Sequence, residues 1–162
     1  MKLNQTLRDV SNDARGWLNT WAKDFTEVEA GATAGGQAPN PLLWHLGHLA
    51  CVEDDVCWLF GAPDRLTSEA LRKACATGCA APTSATRYPS LAELWSLLGR
   101  THTRLLGLVE QAADDGLDRP PREANPFFKS LGQATYEAAL HEVYHVGEIG
   151  TLRKALGKPG IG

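Results

Sequence analysis

Four stretches of this chain repeat apolar residues at spacings of three and four, and none alternates with the period of two that a strand requires. The first runs from Leu3 to Phe25, with Leu7, Val10, Ala14, Trp17, Leu18 and Trp21 as its apolar face. The second opens at Asn40-Pro41, where Asn suits an N-cap and Pro the first helical position, and runs to the breaker Gly61-Ala62-Pro63. Ser90 caps the third, with Glu93 completing a capping box, and Asp114-Asp115-Gly116 ends it. The fourth starts at Ser130 or Leu131 and stops after Leu156, before Gly157-Lys158-Pro159-Gly160. Its inward stripe is Ala134, Ala138, His141, His145, Ile149, Leu152 and Leu156.

Helices of about 20–27 residues in a chain of this length predict an all-α four-helix bundle, a single domain over residues 1–162. The connection over residues 61–89 is long enough to cross the bundle and return, so the second and third helices are predicted to run parallel. Within it, Thr67 or Ser68 caps a short helix reaching Cys75, and the remainder, rich in Gly, Pro, Ser and Thr, reads as loop.

Composition narrows the function. The net charge is −3 and the basic residues are scattered, so no stripe is available for nucleic acid. No apolar run approaches the roughly 20 residues of a membrane span. The N-terminal residues lack the apolar core of a signal peptide, which places the protein in the cytoplasm. There Cys51, Cys57, Cys75 and Cys79 are expected as thiols, acting as small buried hydrophobes.

The chemistry concentrates in histidine. His141 and His145 are four apart and share one helix face, with Cβ atoms roughly 5–6 Å apart, so together they can grip one divalent ion. A third ligand must come from another segment. Trp44-His45-Leu46-Gly47-His48 offers His48 or His45. Three imidazoles leave a coordination position open for water, hydroxide or a thiolate, as in a catalytic site. His141 to His145 also fits the H-E-x-x-H pattern, in which Glu142 would act as the base toward water. The positions three and six beyond His145 hold Glu148 and Thr151, not the Gly and His of a metzincin. Glu142 and Glu148 are both candidates to orient an imidazole, and His102 reads as a core histidine.

Trp44-His45-Leu46-Gly47-His48-Leu49 after Asn40-Pro41, joined to His141-x-x-x-His145-x-Gly147-Glu148-Ile149, resembles the DinB-like (YfiT-like) superfamily. The resemblance implies a four-helix bundle with a long crossover, and a divalent metal, zinc or nickel, held by His48, His141 and His145. It also implies a homodimer and a thiol-dependent S-transferase acting on small electrophiles in stress response or detoxification, with a low-molecular-weight thiol such as bacillithiol, mycothiol or glutathione. Arg153 is the candidate for binding that thiol's carboxylates, and its alternative reading is a solvent-facing cation at a helix end. Two other readings stand beside this one. One is metal-dependent hydrolysis of a small molecule with Glu142 as base. The other is a non-catalytic metal-binding stress protein.

Overall fold

The structure, a computed structural model, describes residues 2–38, 40–79, 87–124 and 126–161. Its elements are all helical: α1 (Leu3–Ala22), α2 (Glu27–Ala30), a 3-10 turn (Gly35–Gln37), α3 (Leu42–Phe60), α4 (Glu69–Ala74), α5 (Leu91–Gln111), α6 (Ala113–Leu117) and α7 (Leu131–Ala155). The four predicted long helices are α1, α3, α5 and α7. The part of the predicted crossover loop over residues 80–86 lies outside the described residues.

Helix starts follow from local chemistry. The Ser90 hydroxyl accepts from the Glu93 N–H while the Glu93 carboxylate accepts from the Ser90 N–H, the predicted box. Ser68 and Ser130 likewise accept from Leu71 and Gln133. Three boundaries and one inward face differ from expectation. Pro41, not Asn40, is the N-cap of α3: its extended backbone (ψ 163°) leaves its carbonyl free to accept from Trp44 and His45. α1 ends at Ala22, and a capping box between Thr26 and Glu29 starts the unpredicted α2. α5 stops at Gln111, because Ala113 adopts a left-handed backbone (φ 51°) and α6 begins there. Trp17, placed on the inward face of the first helix, is 59% exposed, while Arg15 is buried instead.

Each long helix packs against two others: α1 on α7 and α5, and α3 on α5 and α7. Two apolar clusters fill the interior. One holds Leu18, Leu46, Leu49, Leu94, Leu98, Val146 and Ile149. The other holds Leu7, Val56, Leu105, Val109, Leu131 and Ala134. Along α3 and α5 the chain passes from the first cluster to the second, and along α1 and α7 from the second to the first. α3 and α5 are therefore parallel, as the crossover length predicted.

Between the clusters lies a buried polar layer drawn from all four long helices. Arg15 of α1 donates from Nε to Glu142 Oε1 of α7 (2.7 Å) and from Nη1 to the Leu98 carbonyl of α5 (3.1 Å). Its Nη2 lies 3.0 Å from Glu53 Oε1 of α3. Glu53 also accepts from the Thr101 hydroxyl (2.7 Å) and pairs with His102 Nδ1 (2.7 Å). His102 is thus a satisfied core histidine, as expected. Burial pushes the Glu142 carboxyl above its ordinary range, and the Arg15 charge opposes that shift. Removing Arg15 strands two buried carboxylates. Arg15→Ala is expected to lower unfolding free energy by about 3–5 kcal/mol, measured by urea denaturation. A loss below about 1 kcal/mol would show that the layer does not depend on the guanidinium.

Candidate metal centre

α3 presents His48 and α7 presents His141 and His145 toward one point. His48 Nε2 lies 2.9 Å from His141 Nε2, and His145 Nε2 lies 3.0 Å from that same atom. The three donor atoms all fall within 4.8 Å of one another, compatible with one divalent ion. His48 and His145 are buried and His141 is half-buried.

Neighbouring groups determine which nitrogen of each ring carries its proton. His48 Nδ1 faces the Cys75 carbonyl at 2.8 Å, which can only accept, so Nδ1–H donates and Nε2 keeps its lone pair. The Trp44 ring stacks on His48 with centroids 4.7 Å apart, nearly parallel, and holds that orientation. Cys75 can come so close because residue 47 is glycine: a Cβ there would sit 2.6 Å from the Cys75 sulfur. α4, whose C-cap is Cys75, is anchored in turn by Asp54. This fully buried carboxylate of α3 accepts from the Leu66 and Thr67 amides and from the Thr67 hydroxyl.

On α7, Glu148 Oε2 lies 2.6 Å from His145 Nδ1. Its carboxylate accepts that proton, and Nε2 again keeps a lone pair aimed at the cluster. Of the two candidate orienting carboxylates, Glu148 is the one against a ring. Glu142 instead gives both oxygens to Arg15 in the polar layer. His45, the alternative third ligand in the sequence, packs its Nδ1 3.1 Å from His145 Nδ1 and lies 3.7 Å from Glu148. His45, His145 and Glu148 form a second group spaced for an ion.

The donor chemistry fits a cation. Two Nε2 lone pairs point at His141, whose own Nε2 can carry one proton for both. Adding protons is disfavoured, because burial pushes all four rings below their ordinary value, His45 to about 4 and His145 to about 2. A divalent ion satisfies three lone pairs at once without protonating any ring.

Two of the histidines, His48 and His141, open onto a cavity of about 820 Å³ between α3 and α7. His48 and His141 form part of its wall, together with Trp58, Phe127, Phe128 and Ala138. Arg153 does not line it. That residue is 3% exposed, so it is not a solvent-facing cation. Its guanidinium pairs with Asp24 and donates to the Trp21 and Pro159 carbonyls, tying α7 to the end of α1. The four cysteines are free, and burial pushes Cys51 up to about 11 and Cys57 and Cys75 to about 12, leaving protonated thiols.

Periodicity alone missed Arg15 and Glu53. The signal available was a charge inside each apolar stripe, Arg15 beside Ala14 and Leu18, and Glu53 between Leu49 and Val56.

The depressed histidines make the metal-free fold acid-sensitive. The unfolded chain protonates near 6.5, so below that pH it binds more protons than the folded state, and stability falls as pH drops. Glu142 and Glu148, pushed up by burial, act in the opposite sense, so a difference measurement isolates the ring. Between pH 6 and 5, unfolding of EDTA-treated protein is expected to lose up to about 1.4 kcal/mol per pH unit more in the wild type than in His45→Gln. Equal slopes in urea titrations would refute it.

No curated protein and no solved structure matches the chain. The sequence model of the DinB superfamily matches residues 7–149, which takes in all three converging histidines and Glu148. The chain therefore belongs to the DinB superfamily.

Proposed function

We propose that the protein is a divalent-metal-dependent S-transferase that joins a low-molecular-weight thiol to a small electrophile, in detoxification or stress response. The observation that carries this reading is the convergence of three imidazole Nε2 atoms beside a cavity of about 820 Å³, with His48 and His141 on its wall. His48, His141 and His145 would hold the ion, zinc or nickel. When bound, the ion supplies Lewis acidity that lowers the pKa of a thiol or water beside it.

The rest falls to the chain. The Cys75 carbonyl and the Glu148 carboxylate keep the Nε2 lone pairs directed inward. The cavity gives a small electrophile an apolar wall next to those rings. A separate thiol is needed, since the chain's own buried cysteines are held protonated. The hydrolytic reading asks Glu142 to serve as base, and its commitment to Arg15 argues against that role. The outward faces of α1 and α7 leave Trp17, Val143 and Tyr144 exposed, which supports pairing with a second copy.

Elemental analysis of purified protein is expected to find about one divalent ion per chain, and His48→Ala, His141→Ala and His145→Ala should each lose it. Conjugation of glutathione, bacillithiol or mycothiol to a small electrophile should saturate with thiol and vanish in the same variants. Full metal retention in all three variants would end the proposal. Glu148→Gln should keep the fold and weaken metal affinity about 10–100-fold, read by competition with a chelating dye. Unchanged affinity would show that Glu148 does not support His145.

A further inference from the structure

The charge on the cavity wall discriminates between possible substrates. Four charged side chains line it: Asp55, Arg65, Glu123 and Glu137. Asp55 pairs with Arg65 and with Arg72. Glu123 accepts from the Trp58 indole N–H at 3.0 Å. Glu137 stands apart. It sits one turn before His141 on the same helix, is half-buried, and has no hydrogen bond or ion pair among the described residues. Arg65 is the one cation among the cavity's described lining residues, and Asp55 holds it. Among its described side chains the cavity therefore offers an unpaired carboxylate beside the histidines and no unpaired Lys or Arg to receive a carboxylate or phosphate.

We infer that the electrophilic substrate is cationic: an apolar or aromatic body against Phe128 and Ala138, carrying an ammonium-type group that pairs with Glu137. This rests on the proposed reaction only in taking this cavity as the substrate site, and the cation contact itself needs no metal. A half-buried unit charge facing an opposite charge is screened less than in bulk water, so the preference is expected to be about tenfold or more.

The test uses three probes of similar shape: phenethyltrimethylammonium, its neutral carbon isostere (3,3-dimethylbutyl)benzene, and 3-phenylpropionate. The quaternary ammonium has no lone pair and cannot ligate a metal. Calorimetric titration of EDTA-treated protein is expected to show the ammonium binding about tenfold or more tighter than either companion. Glu137→Gln should abolish the preference, and Glu137→Lys should turn it toward 3-phenylpropionate. Both replacements are good helix formers, and zinc stoichiometry should be unchanged in both. No measurable ammonium binding, equal affinity for the neutral isostere, or an undiminished preference in Glu137→Gln would overturn the inference. An intact preference in a wild-type protein that takes up no zinc would instead sink the proposed reaction and leave the cation site standing.

Discussion

One buried guanidinium sets the relation of the four long helices. Arg15 reaches Glu142 on α7, Glu53 on α3 and the Leu98 carbonyl on α5 from its place on α1. Apolar clusters above and below could slide past one another at modest cost, since burial of hydrocarbon is non-directional. A charged pair cannot, because a shift of one residue would leave a carboxylate unpaired in a low-dielectric interior. The layer therefore fixes register. It also fixes the rotation of α7: with Glu142 directed at Arg15, His141 and His145 fall to the side that faces α3. The residue that the H-E-x-x-H pattern assigns to water activation serves here to aim its neighbours.

The second half of the site is aimed by a relay through α4. Asp54 holds the turn at Leu66 and Thr67, and α4 follows and is capped at its C-terminus by Cys75, whose carbonyl accepts a hydrogen bond from His48 Nδ1. Gly47 lets that carbonyl approach, since any side chain at the position would meet the Cys75 sulfur. The crossover between α3 and α5 thus does more than connect parallel helices. It supplies the acceptor that decides the tautomer of His48.

Features governed by neighbours in the sequence were legible before the fold. The caps at Ser68 and Ser90 depend on a hydroxyl meeting an amide three residues on, and both form. The His141/His145 pair follows from helical spacing, and the parallel arrangement of α3 and α5 from the length of their connection. What was illegible depends on partners far away in the chain. Arg15 and Glu53 look like interruptions of apolar stripes until each supplies the other's counter-charge across the core. Trp17 reads as a core residue by spacing, yet the α1 face toward α5 and α7 is occupied by Leu7, Ala14, Arg15 and Leu18, and the indole is left outside. The choice of Glu148 over Glu142 as the carboxylate beside His145 rests on a side-chain contact that helical spacing alone could not decide.

The arrangement also bears on what kind of metal centre these residues would form. In a structural site, the ion organises ligands that are otherwise disordered, and binding and folding are one event. Here the His48 and His145 rings are ordered by groups that owe nothing to an ion: the Trp44 stack and the Cys75 carbonyl for His48, and the Glu148 carboxylate for His145. Burial keeps the rings neutral, the form that coordinates. The conformational cost of assembling the site is thus met by the fold before any ion arrives. Three protein donors beside a cavity leave room for a further ligand, where a fourth protein donor would have closed the shell. Preorganisation by the bundle and an open position toward the cavity belong together, because an ion not needed to hold the protein in shape is free to exchange its remaining ligand.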